Sequence, residues 1–518
     1  VKRTSGAAAN FLWDNSSYIL GVSLKKGEDD AEREKRRNKD IKCFEACREL
    51  HHSMLDGMEY PAAKAVLNFL DKWEPQKAEE NNLVAQYAKE ILSGANMVFR
   101  FNGGYVHDDP QLASVWQKAN AKQKDNIGQC LVTGALDEIQ KTHPTIKGVQ
   151  GAQSSGAALV SFNASAFCSY NKEQNQNAPV GKYAAFAYTT ALNHLLADRK
   201  NVHRIGDAAV VCWAENADKQ YEDFAAEVFF GDNVDKSDEQ RLSALRTSLK
   251  LLADGLPCKE MDLDPDRKFY ILGLSPNAAR LAVRFFYCDS FGKIAGNIYK
   301  HHERLEIVRP SYDKFPILPL WKLLSATVNP NAKDKTPNAA MAGAVARAVF
   351  SGGRYPASLL ECTFLRIKAE RNITRERAAI IKAYYLRNPN EKCPKEVLTV
   401  SLNENSKNIP YTLGRLFSVY EEIQQAANPG INTTIKDRYF GSAAAMPATV
   451  FPILSNLAQK HLRKLSDAQR VYLDKKVMTL KSVLGEQYPA HMSLPEQGSF
   501  DLGYYHQTQA RYTKKEDK

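Results

Sequence analysis

Apolar residues recur at helical spacing through the last quarter of the chain. Three such faces follow one another: Leu413, Leu416, Phe417, Tyr420 and Ile423; then Phe451, Leu454, Ala458, His461, Leu462 and Leu465; then Leu473, Val477, Leu480 and Leu484. These stripes predict amphipathic helices that bury one face. A capping box at Ser493 and Glu496, with Pro495 in the first turn, opens a fourth helix. Four amphipathic helices with short connections predict a helical bundle.

Short apolar runs in the first half of the chain predict strands. Residues 208–213 and 269–274 are short and apolar. Residues 157–162 form an apolar run typical of a buried strand. Between residues 97 and 163 such runs alternate with Gly and Asn, which indicates strands joined by loops.

Helical spacing marks most of the remaining chain. It extends over residues 43–92, with breaks at Pro61 and Pro75, and over residues 184–197. After Ser275 we expect mainly helix.

Three helices are predicted in that later stretch. They cover residues 338–350, 357–370 and 375–385, and Thr374 is a natural N-cap for the last one. Together these patterns predict an α+β protein, with a mixed α/β N-terminal and central region followed by a C-terminal four-helix-type bundle. We divide the chain into a recognition region (residues 1–270), a basic and mainly helical region (271–395) and the bundle (396–518).

Positive charge is concentrated in the middle of the chain. The 518 residues carry a net charge of +11, and residues 271–390 contain 19 Lys or Arg against 8 Asp or Glu. That segment therefore accounts for the whole excess. Such a concentration is typical of a phosphate-binding surface. The alternative is a solvated basic face without a ligand.

Arginine and lysine side chains in and beyond this segment are the candidate contacts to a nucleic-acid backbone, because a guanidinium donates two parallel bonds to a phosphate. The candidates are Arg280, Arg284, Lys293, Arg304, Arg309, Arg354, Lys368, Arg371, Arg375, Lys436 and Arg438. Lys436 and Arg438 precede an Ala-rich helix, whose N-terminus would favour an anion; simple surface charge is equally compatible with these two residues.

Two of these arginines border an aromatic run. Arg280 and Arg284 flank Phe285, Phe286 and Tyr287 on the N-terminal side. Aromatic side chains that lie next to cationic side chains can stack on unpaired bases. The alternative is that Phe285 and Phe286 belong to the core.

A glycine-rich loop is the most informative stretch. Residues 147–163 read KGVQGAQSSGAALVSFN. Amides and hydroxyls donate and accept hydrogen bonds, and glycine lets backbone approach a ligand closely. The loop therefore has the chemistry of a recognition loop, and its candidate residues are Gln150, Gln153, Ser154, Ser155 and Asn163. An ordinary turn before a strand is the alternative.

Catalytic motifs are missing from the sequence. It contains no GxxxxGK[ST] phosphate loop, no GxGxxG and no HExxH. His107 and Asp108 only hint at a metal phosphohydrolase. Cys43 and Cys47 lack a second pair at zinc-site spacing, so the nine cysteines indicate core thiols in a reducing cytosol. We expect no enzyme activity, no cofactor and no metal.

The ends and hydropathy of the chain give two further expectations. No apolar run approaches the roughly 20 residues that span a bilayer, so we expect a cytoplasmic protein without membrane contact. The chain begins at Val1 in a stretch that is typical of a domain interior. We therefore expect that an N-terminal piece precedes it.

Six short motifs together resemble a known family. They are FLWDN at residues 11–15, LSPNAAR at 274–280, AVRFF at 282–286, GGRYP at 352–356, IKDRYFG at 435–441 and GYYHQ at 503–507, beside the loop at 147–163. In this order they resemble the large subunit of the type I-C CRISPR-associated surveillance complex, Cascade, and they span residues 11–507.

This resemblance implies a non-catalytic function in RNA-guided DNA recognition. Members of that family recognise the protospacer-adjacent motif in double-stranded DNA, lie near the 5′ handle of the CRISPR RNA and help open the duplex. Their C-terminal bundle resembles the small subunit and helps to hold the displaced strand. The five loop residues then become candidates for contacts to the motif or to the RNA handle.

The implied partners follow from the same resemblance. They are the CRISPR RNA, the target duplex and its displaced strand, the backbone, handle-binding and small subunits of Cascade, and a separate Cas helicase-nuclease. The family also makes its bundle from an internal start, which here would be non-AUG because no Met lies between Met341 and Met446. A free-standing DNA- or RNA-binding protein and a metal-dependent nuclease are the alternatives.

Overall fold

A computed structural model describes residues 7–25, 27–92, 94–121, 126–198, 200, 202–231 and 239–512. Val1, on which the expectation of a preceding segment rests, and Lys26 lie outside the described residues. The chain divides into two compact units: the first comprises Val1–Cys130 and Gly134–Ile139, and the second comprises Leu131–Thr133 and Gln140–Lys518.

The first unit consists of helices and short two-stranded sheets. Its elements are β1 (Trp13–Asn15), α1 (Ser16–Ile19), α2 (Asp30–Leu55), α3 (Pro61–Lys72), α4 (Asn82–Gln86), α5 (Ala88–Leu92), β2 (Asn96–Val98), β3 (Arg100–Phe101), β4 (Gly104–Tyr105), α6 (Pro110–Ala121), β5 (Ile127–Gln129) and β6 (Leu136–Glu138). The predicted helical breaks at Pro61 and Pro75 are confirmed. Helix α6 was not predicted.

The FLWDN motif forms a buried turn in this unit. Phe11 and Leu12 are buried, and the Leu12 N–H donates to Nε2 of His51 over 2.9 Å. His51 Nδ1 lies 2.7 Å from the Cys47 carbonyl oxygen, and burial lowers the pKa of this imidazole. The Asn15 side chain then accepts from the Ser17 N–H and caps α1. The motif therefore has a structural role.

The second unit holds the larger sheet and most of the helices. Its elements are α7 (Lys182–Ala197), β7 (His203–Ile205), β8 (Ala208–Ala214), α8 (Lys219–Ala225), α9 (Glu239–Ala253), β9 (Lys268–Asn277), β10 (Arg280–Ser290), α10 (Phe291–Leu305), α11 (Leu320–Ser325), α12 (Ala339–Ser351), α13 (Ala357–Glu370), α14 (Arg375–Arg387), α15 (Ile409–Ala427), α16 (Ile435–Ala445), α17 (Pro447–Leu462), α18 (Asp467–Lys481) and α19 (Leu494–Ala510). Among the residues that the structure describes, no helix is both long and apolar enough to cross a membrane.

Four antiparallel strands form the sheet of this unit, in the order β10-β9-β8-β7. Strand β8 is apolar on both sides because both of its faces are covered: Val210 and Cys212 pack into the large core, whereas Val211 packs against a smaller one. The strands predicted at residues 208–213 and 269–274 are β8 and β9, so both are confirmed.

Two expectations about strands were wrong. Residues 157–162 are not a strand, because only Ala157 and Ala158 make single bridges, to Ile146 and Arg280. Their apolar character instead reflects packing of a loop. Conversely, the chain after Ser275 continues into β10, where helix had been expected, because β9 supplies a long antiparallel partner. Local spacing alone cannot show that partner.

The C-terminal bundle is confirmed. The four predicted amphipathic helices are α15, α17, α18 and α19, and Ser493 and Glu496 form the predicted capping box. The short helix α16 is additional. Its capping box consists of Thr434 and Asp437, so Lys436 and Arg438 lie within the first turns of α16 and not before it.

Helices α15 and α19 approach each other backbone to backbone. A Cβ atom added at Gly414 would overlap the Phe500 carbonyl oxygen, and one at Gly503 would overlap the Tyr411 carbonyl oxygen. Polar pairs join the same two helices: the Tyr411 hydroxyl lies 2.9 Å from His506 Nδ1. The GYYHQ motif at 503–507 is therefore part of this buried contact.

The three-part division of the chain stays a prediction. The boundary at residue 270 falls inside β9, and the boundary at 395 falls where a single 3-10 turn, Lys395–Val397, begins. All candidate nucleic-acid contacts lie in the second compact unit.

Candidate nucleic-acid interface

The glycine-rich loop is fixed to the tip of the β9–β10 hairpin. Ile146 and Ala157 exchange two backbone hydrogen bonds of 2.9 Å, and the Gln153 N–H donates to the Ala278 carbonyl over 3.2 Å. Ala158 and Leu281 continue the attachment: the Ala158 N–H donates to Ala279 and the Leu281 N–H donates to Ala158, each over 3.0 Å. The loop is therefore part of the sheet edge.

Apolar residues of the loop pack against the sheet and α7. Ile146, Val149 and Ala157 are buried in a small core that also contains Leu192 of α7 and Leu274 of β9. Burial along the run predicted as a strand does not alternate: Ala157 is buried and residues 158–162 are half-buried. It is the pattern of a loop that covers a sheet.

Gly156 makes the turn possible. Its φ of +103° lies in the region that favours glycine, and an added Cβ would lie 2.7 Å from Thr145 Oγ1. The Gly156 N–H donates to the Gln153 carbonyl over 2.9 Å and closes the turn. As a result, residues 153–155 project outward.

The outward side chains of the turn are available to a ligand. Gln153, Ser154 and Ser155 are exposed, and among the described residues their side chains make no internal hydrogen bond. Gln150 and Asn163 are also exposed, but their side chains are engaged in hydrogen bonds. Gln150 Oε1 accepts from Arg204 over 2.9 Å, and Asn163 Oδ1 accepts from the Arg280 guanidinium. Gln150 therefore lies beside β7 and Asn163 beside β10, the two outer strands of the sheet, and the exposed turn at residues 153–155 is attached to the β9–β10 hairpin.

Two arginines complete this loop surface, which we define as Gln150, Gln153, Ser154, Ser155 and Asn163 with Arg204 and Arg280. The Arg280 guanidinium lies 4.3 Å from the centroid of the Phe167 ring. Arg204 was missed, because it lies in the short strand β7 and only the register of β7 with β8 places it here.

Two of the predicted backbone contacts, Arg284 and Lys293, are instead engaged in ion pairs. Arg284 lies 3.0 Å from Asp207 and Lys293 lies 2.7 Å from Asp289. Both remain partly exposed, with 35% and 63% of the side chain accessible. A phosphate would have to compete with a carboxylate at each position.

Arg375 does not fit a phosphate contact, and this prediction is corrected. Its guanidinium lies 3.0 Å from Asp313 and donates to the carbonyls of Phe315 and Pro316. The side chain is only 6% accessible. Because a buried guanidinium must be satisfied internally, Arg375 stabilises the loop before α11. The predicted helix break at residues 372–374 is confirmed, since α13 ends at Glu370.

Three arginines from different elements form a cluster: Arg304 at the end of α10, Arg354 in the turn after α12 and Arg387 at the end of α14. Among the described residues none of the three has an ion pair with a carboxylate. Arg354 is exposed, and the other two are half-buried. We call these three residues the arginine cluster.

Hydrogen bonds from two helices, α10 and α14, fix the turn that carries Arg354. Gly352 ends α12 with a φ of 67°, and Asn297 of α10 donates to the Phe350 carbonyl over 2.7 Å. From α14, Arg387 Nε donates to the Gly353 carbonyl over 2.9 Å. The GGRYP motif is thus a rigid turn that presents Arg354 beside Arg387.

The three arginines of the cluster place like charges near one another. Burial lowers the pKa of Arg387, and the charges of Arg304 and Arg354 lower it further. Like charges at short range repel each other, and a bound phosphate would relieve that repulsion. Arg387 was missed because the helix predicted from Arg375 ended at residue 385, whereas α14 extends to Arg387; its place in the segment of 19 cations was the available signal.

The remaining candidates occupy separate surfaces. Arg309 lines a cleft with Arg246 and Lys250, but Glu303 and Glu306 also line it. Lys368 and Arg371 are exposed at the end of α13.

On α16, Lys436 Nζ lies 3.5 Å from Asn372 Oδ1, and Arg438 lies over the Tyr439 ring at 5.3 Å. Both α16 cations therefore make weak local contacts that a phosphate could replace.

The described residues contain no group of three or more His, Cys, Asp or Glu side chains arranged to hold a metal ion. Cysteines at positions 43, 47, 130, 212, 258 and 393 are buried, as expected of core thiols. Cys288 is exposed on β10 and departs from that expectation.

A family model described as CRISPR-associated protein (Cas_Csd1) matches residues 1–512 of the chain. The match covers both compact units and nearly the whole length. A search of curated proteins found no match.

Proposed function

The chain belongs to the CRISPR-associated Cas_Csd1 family, and on that premise we propose that it is the non-catalytic large subunit of a type I-C Cascade complex. In this proposal it recognises the protospacer-adjacent motif of double-stranded DNA near the 5′ handle of the CRISPR RNA. It helps open the duplex, stabilises the displaced strand and presents the target to a separate Cas helicase-nuclease. In such systems protein reads a short motif and base pairing reads the rest.

The arginine cluster is the observation that carries this proposal. Arg304, Arg354 and Arg387 are held together without a carboxylate among the described residues, although unpaired like charges cost stability. A polyanion offsets that cost. The phosphate backbone of a nucleic acid is the polyanion that a CRISPR-associated protein meets.

The loop surface supports the reading of bases. Gln153, Ser154 and Ser155 are exposed on a turn that the hairpin holds rigid. Amide and hydroxyl groups distinguish base edges by their pattern of donors and acceptors. Arg280 and Arg204 beside them supply charge for the adjacent phosphates.

Reconstitution of the complete complex tests the proposal. The complex is assembled with and without this chain, loaded with a matching guide, and given targets that differ only in the flanking motif. We expect motif-dependent duplex binding with the chain and its loss without the chain.

Two double variants are compared in the same experiment, one as the test of the arginine cluster and one as its control. Arg354→Gln with Arg387→Gln removes two unpaired charges, whereas Lys64→Gln with Lys77→Gln removes two charges that are paired with Glu59 and Glu74. We expect weaker binding only in the first pair. Binding and motif preference that survive omission of the chain would contradict the proposed function.

A further inference from the structure

Three aromatic rings form a ladder across one end of the four-stranded sheet. The ring centroids of Trp213 in β8 and Tyr270 in β9 are 5.3 Å apart at an interplanar angle of 9°. Tyr270 and Phe286 in β10 follow at 6.4 Å and 25°. We call these three residues the aromatic ladder.

A β-bulge places Phe286 on the face of the sheet that carries Trp213 and Tyr270. The register shifts between Val283 and Phe285, so Arg284 is an extra residue in β10. Phe285 consequently points into the large core and is 3% exposed, whereas Phe286 is 56% exposed on the opposite face.

The remainder of that face is covered. Val211, Leu272 and Leu281 pack beneath the glycine-rich loop and α7 in the small core. Trp213 packs against this small core, whereas Tyr270 and Phe286 lie beyond it, and β10 is an edge strand of the sheet. Val283, at 50% exposure, extends the open apolar surface beside Phe286. One side of the Phe286 ring therefore stacks on Tyr270, and the other borders the open edge.

Cations flank the ladder. Arg280 lies on β10 with neutral partners, Asn163 and Phe167. Lys268 is exposed at the start of β9, opposite Ser290 at the end of β10. Neither Arg280 nor Lys268 has an ion pair with a carboxylate among the described residues. A chain of phosphates that follows the edge strand would thus meet positive charge at both ends of β10.

We propose that the aromatic ladder is a stacking platform for unpaired bases of single-stranded DNA, with Phe286 in direct contact with a base and with Arg280 and Lys268 beside the phosphates. Aromatic rings accept any base because every base has a π face. DNA fits better than RNA here, since Val283 and Cys288, the neighbours of Phe286 on this face, offer no strong partner for a 2′-hydroxyl. The inference rests on the proposed function only for the presence of a single DNA strand.

Binding of short oligonucleotides to the full chain tests this platform. Fluorescence anisotropy would compare oligo(dT), oligo(rU) and an abasic DNA backbone, each of about 12 nucleotides, at low salt. We expect Phe286→Ala to weaken oligo(dT) binding about 5- to 100-fold and to leave binding of the abasic strand unchanged. Phe286→Trp should retain the affinity for oligo(dT), because it keeps the π face.

Two further variants separate stacking from general effects of truncation. Phe286→Leu keeps an apolar side chain without a ring and should behave like Phe286→Ala. Leu365→Ala truncates an apolar residue of α13 that is 59% exposed, and it should bind as the unaltered chain does.

Several outcomes would overturn the platform. They are equal oligo(dT) affinity in Phe286→Ala and the unaltered chain, full affinity in Phe286→Leu, tighter binding of oligo(rU) than of oligo(dT), and no measurable binding of oligo(dT). Each of these outcomes is measured with single-stranded oligonucleotides and with the chain on its own. Motif-dependent duplex binding by the complete complex is measured separately, so each proposal can fail alone.

Discussion

The α15–α19 helix pair and the arginine cluster use the same kinds of side chain for opposite purposes. In the helix pair Arg415 is buried, donating from Nε to Gln507 Oε1 over 3.1 Å and from Nη1 to the Asn403 and Glu404 carbonyls. In the cluster, Arg387 is close enough to Arg304 and Arg354 to be affected by their charges, and none of the three has an ion pair with a carboxylate among the described residues. Residue type therefore does not reveal which arginines bind a ligand.

The physical reason is the cost of an unsatisfied buried charge. A guanidinium inside the protein needs acceptors for its donors, so the fold must supply them. The helix pair is consequently fixed by internal hydrogen bonds, including the Tyr504 hydroxyl on Glu421 over 2.6 Å. The arginine cluster keeps its charge at the surface, where a phosphate can supply the acceptors. Substitutions should hence affect stability in the first region and binding in the second.

The strongest test of this contrast is Gly414→Ala. The added Cβ would overlap the Phe500 carbonyl oxygen, so α15 and α19 must separate and lose their hydrogen bonds. We expect the free energy of unfolding to fall by about 3 kcal/mol, as measured by urea denaturation.

Gly441→Ala is the matched control for that substitution. Gly441 also lies inside a helix, α16, but nothing lies within 4 Å of an added Cβ. Ala at this position should be neutral or should stabilise by up to about 1 kcal/mol. Equal losses in both variants would show that the close helix approach is not what holds the bundle.

Acid should weaken the helix pair through His506. Burial, together with the charge of Lys382 of α14, lowers the pKa of this imidazole to about 3, and the Tyr411 hydroxyl of α15 lies 2.9 Å from Nδ1. The unfolded chain binds a proton below about pH 6.5 and the folded chain does not, so stability falls as the pH falls. We expect a loss of about 2.5 kcal/mol between pH 6.5 and 4.5 from this group.

His506→Gln isolates that contribution, because glutamine keeps hydrogen-bonding capacity and does not titrate. Urea denaturation at both pH values would measure it. Between pH 6.5 and 4.5 the free energy of unfolding should fall by about 2.5 kcal/mol less in the variant than in the unaltered chain. Identical pH dependence in the two proteins would mean that His506 titrates normally in the fold.

On the binding side of the comparison, Arg304→Gln with Arg354→Gln should weaken duplex binding about tenfold, or about 1.4 kcal/mol. Two fewer phosphate contacts release fewer counterions, so the slope of log affinity against log salt should fall by about 2. Titrations at several salt concentrations would measure both quantities. Arg375→Gln should instead destabilise the fold. An unchanged salt slope in the double variant would remove the cluster from the interface.

The smallest expected effect is at the loop. Gln153→Ala should cost about 1 kcal/mol on duplexes with the preferred motif and little on other duplexes, if the loop reads base edges. Competition between two duplexes that differ only in the motif would measure this difference. A uniform loss on both duplexes would make Gln153 a backbone contact.

Local signals in the sequence were sufficient for many helices. Thr374 caps α14, Asn338 caps α12, and Ser493 and Glu496 form the capping box of α19. Pro61 opens α3 where the helical spacing is interrupted. These features depend on hydrogen bonds and backbone angles within a few residues, so a single sequence contains them.

The loop at residues 147–163 shows where such signals stop. Its polar residues correctly indicated an exposed surface, and its apolar residues Val149 and Ala157 are buried, whereas residues 158–162 are only half-buried. The strand expected at 157–162 was wrong because burial there comes from the sheet below, not from pairing along a strand. Similarly, β10 is a strand because β9 pairs with it.

The sequence by itself determined the fold class, the helical bundle and the concentration of positive charge, since these follow from periodicity and composition. Only the tertiary structure decided which charges are free. It buries Arg375 against Asp313, pairs Arg284 with Asp207 and hydrogen-bonds Arg387 to the turn that carries Arg354. Which carboxylate or carbonyl meets a cation depends on residues far apart in the chain, because Coulomb and hydrogen-bond energies act over ångströms in space.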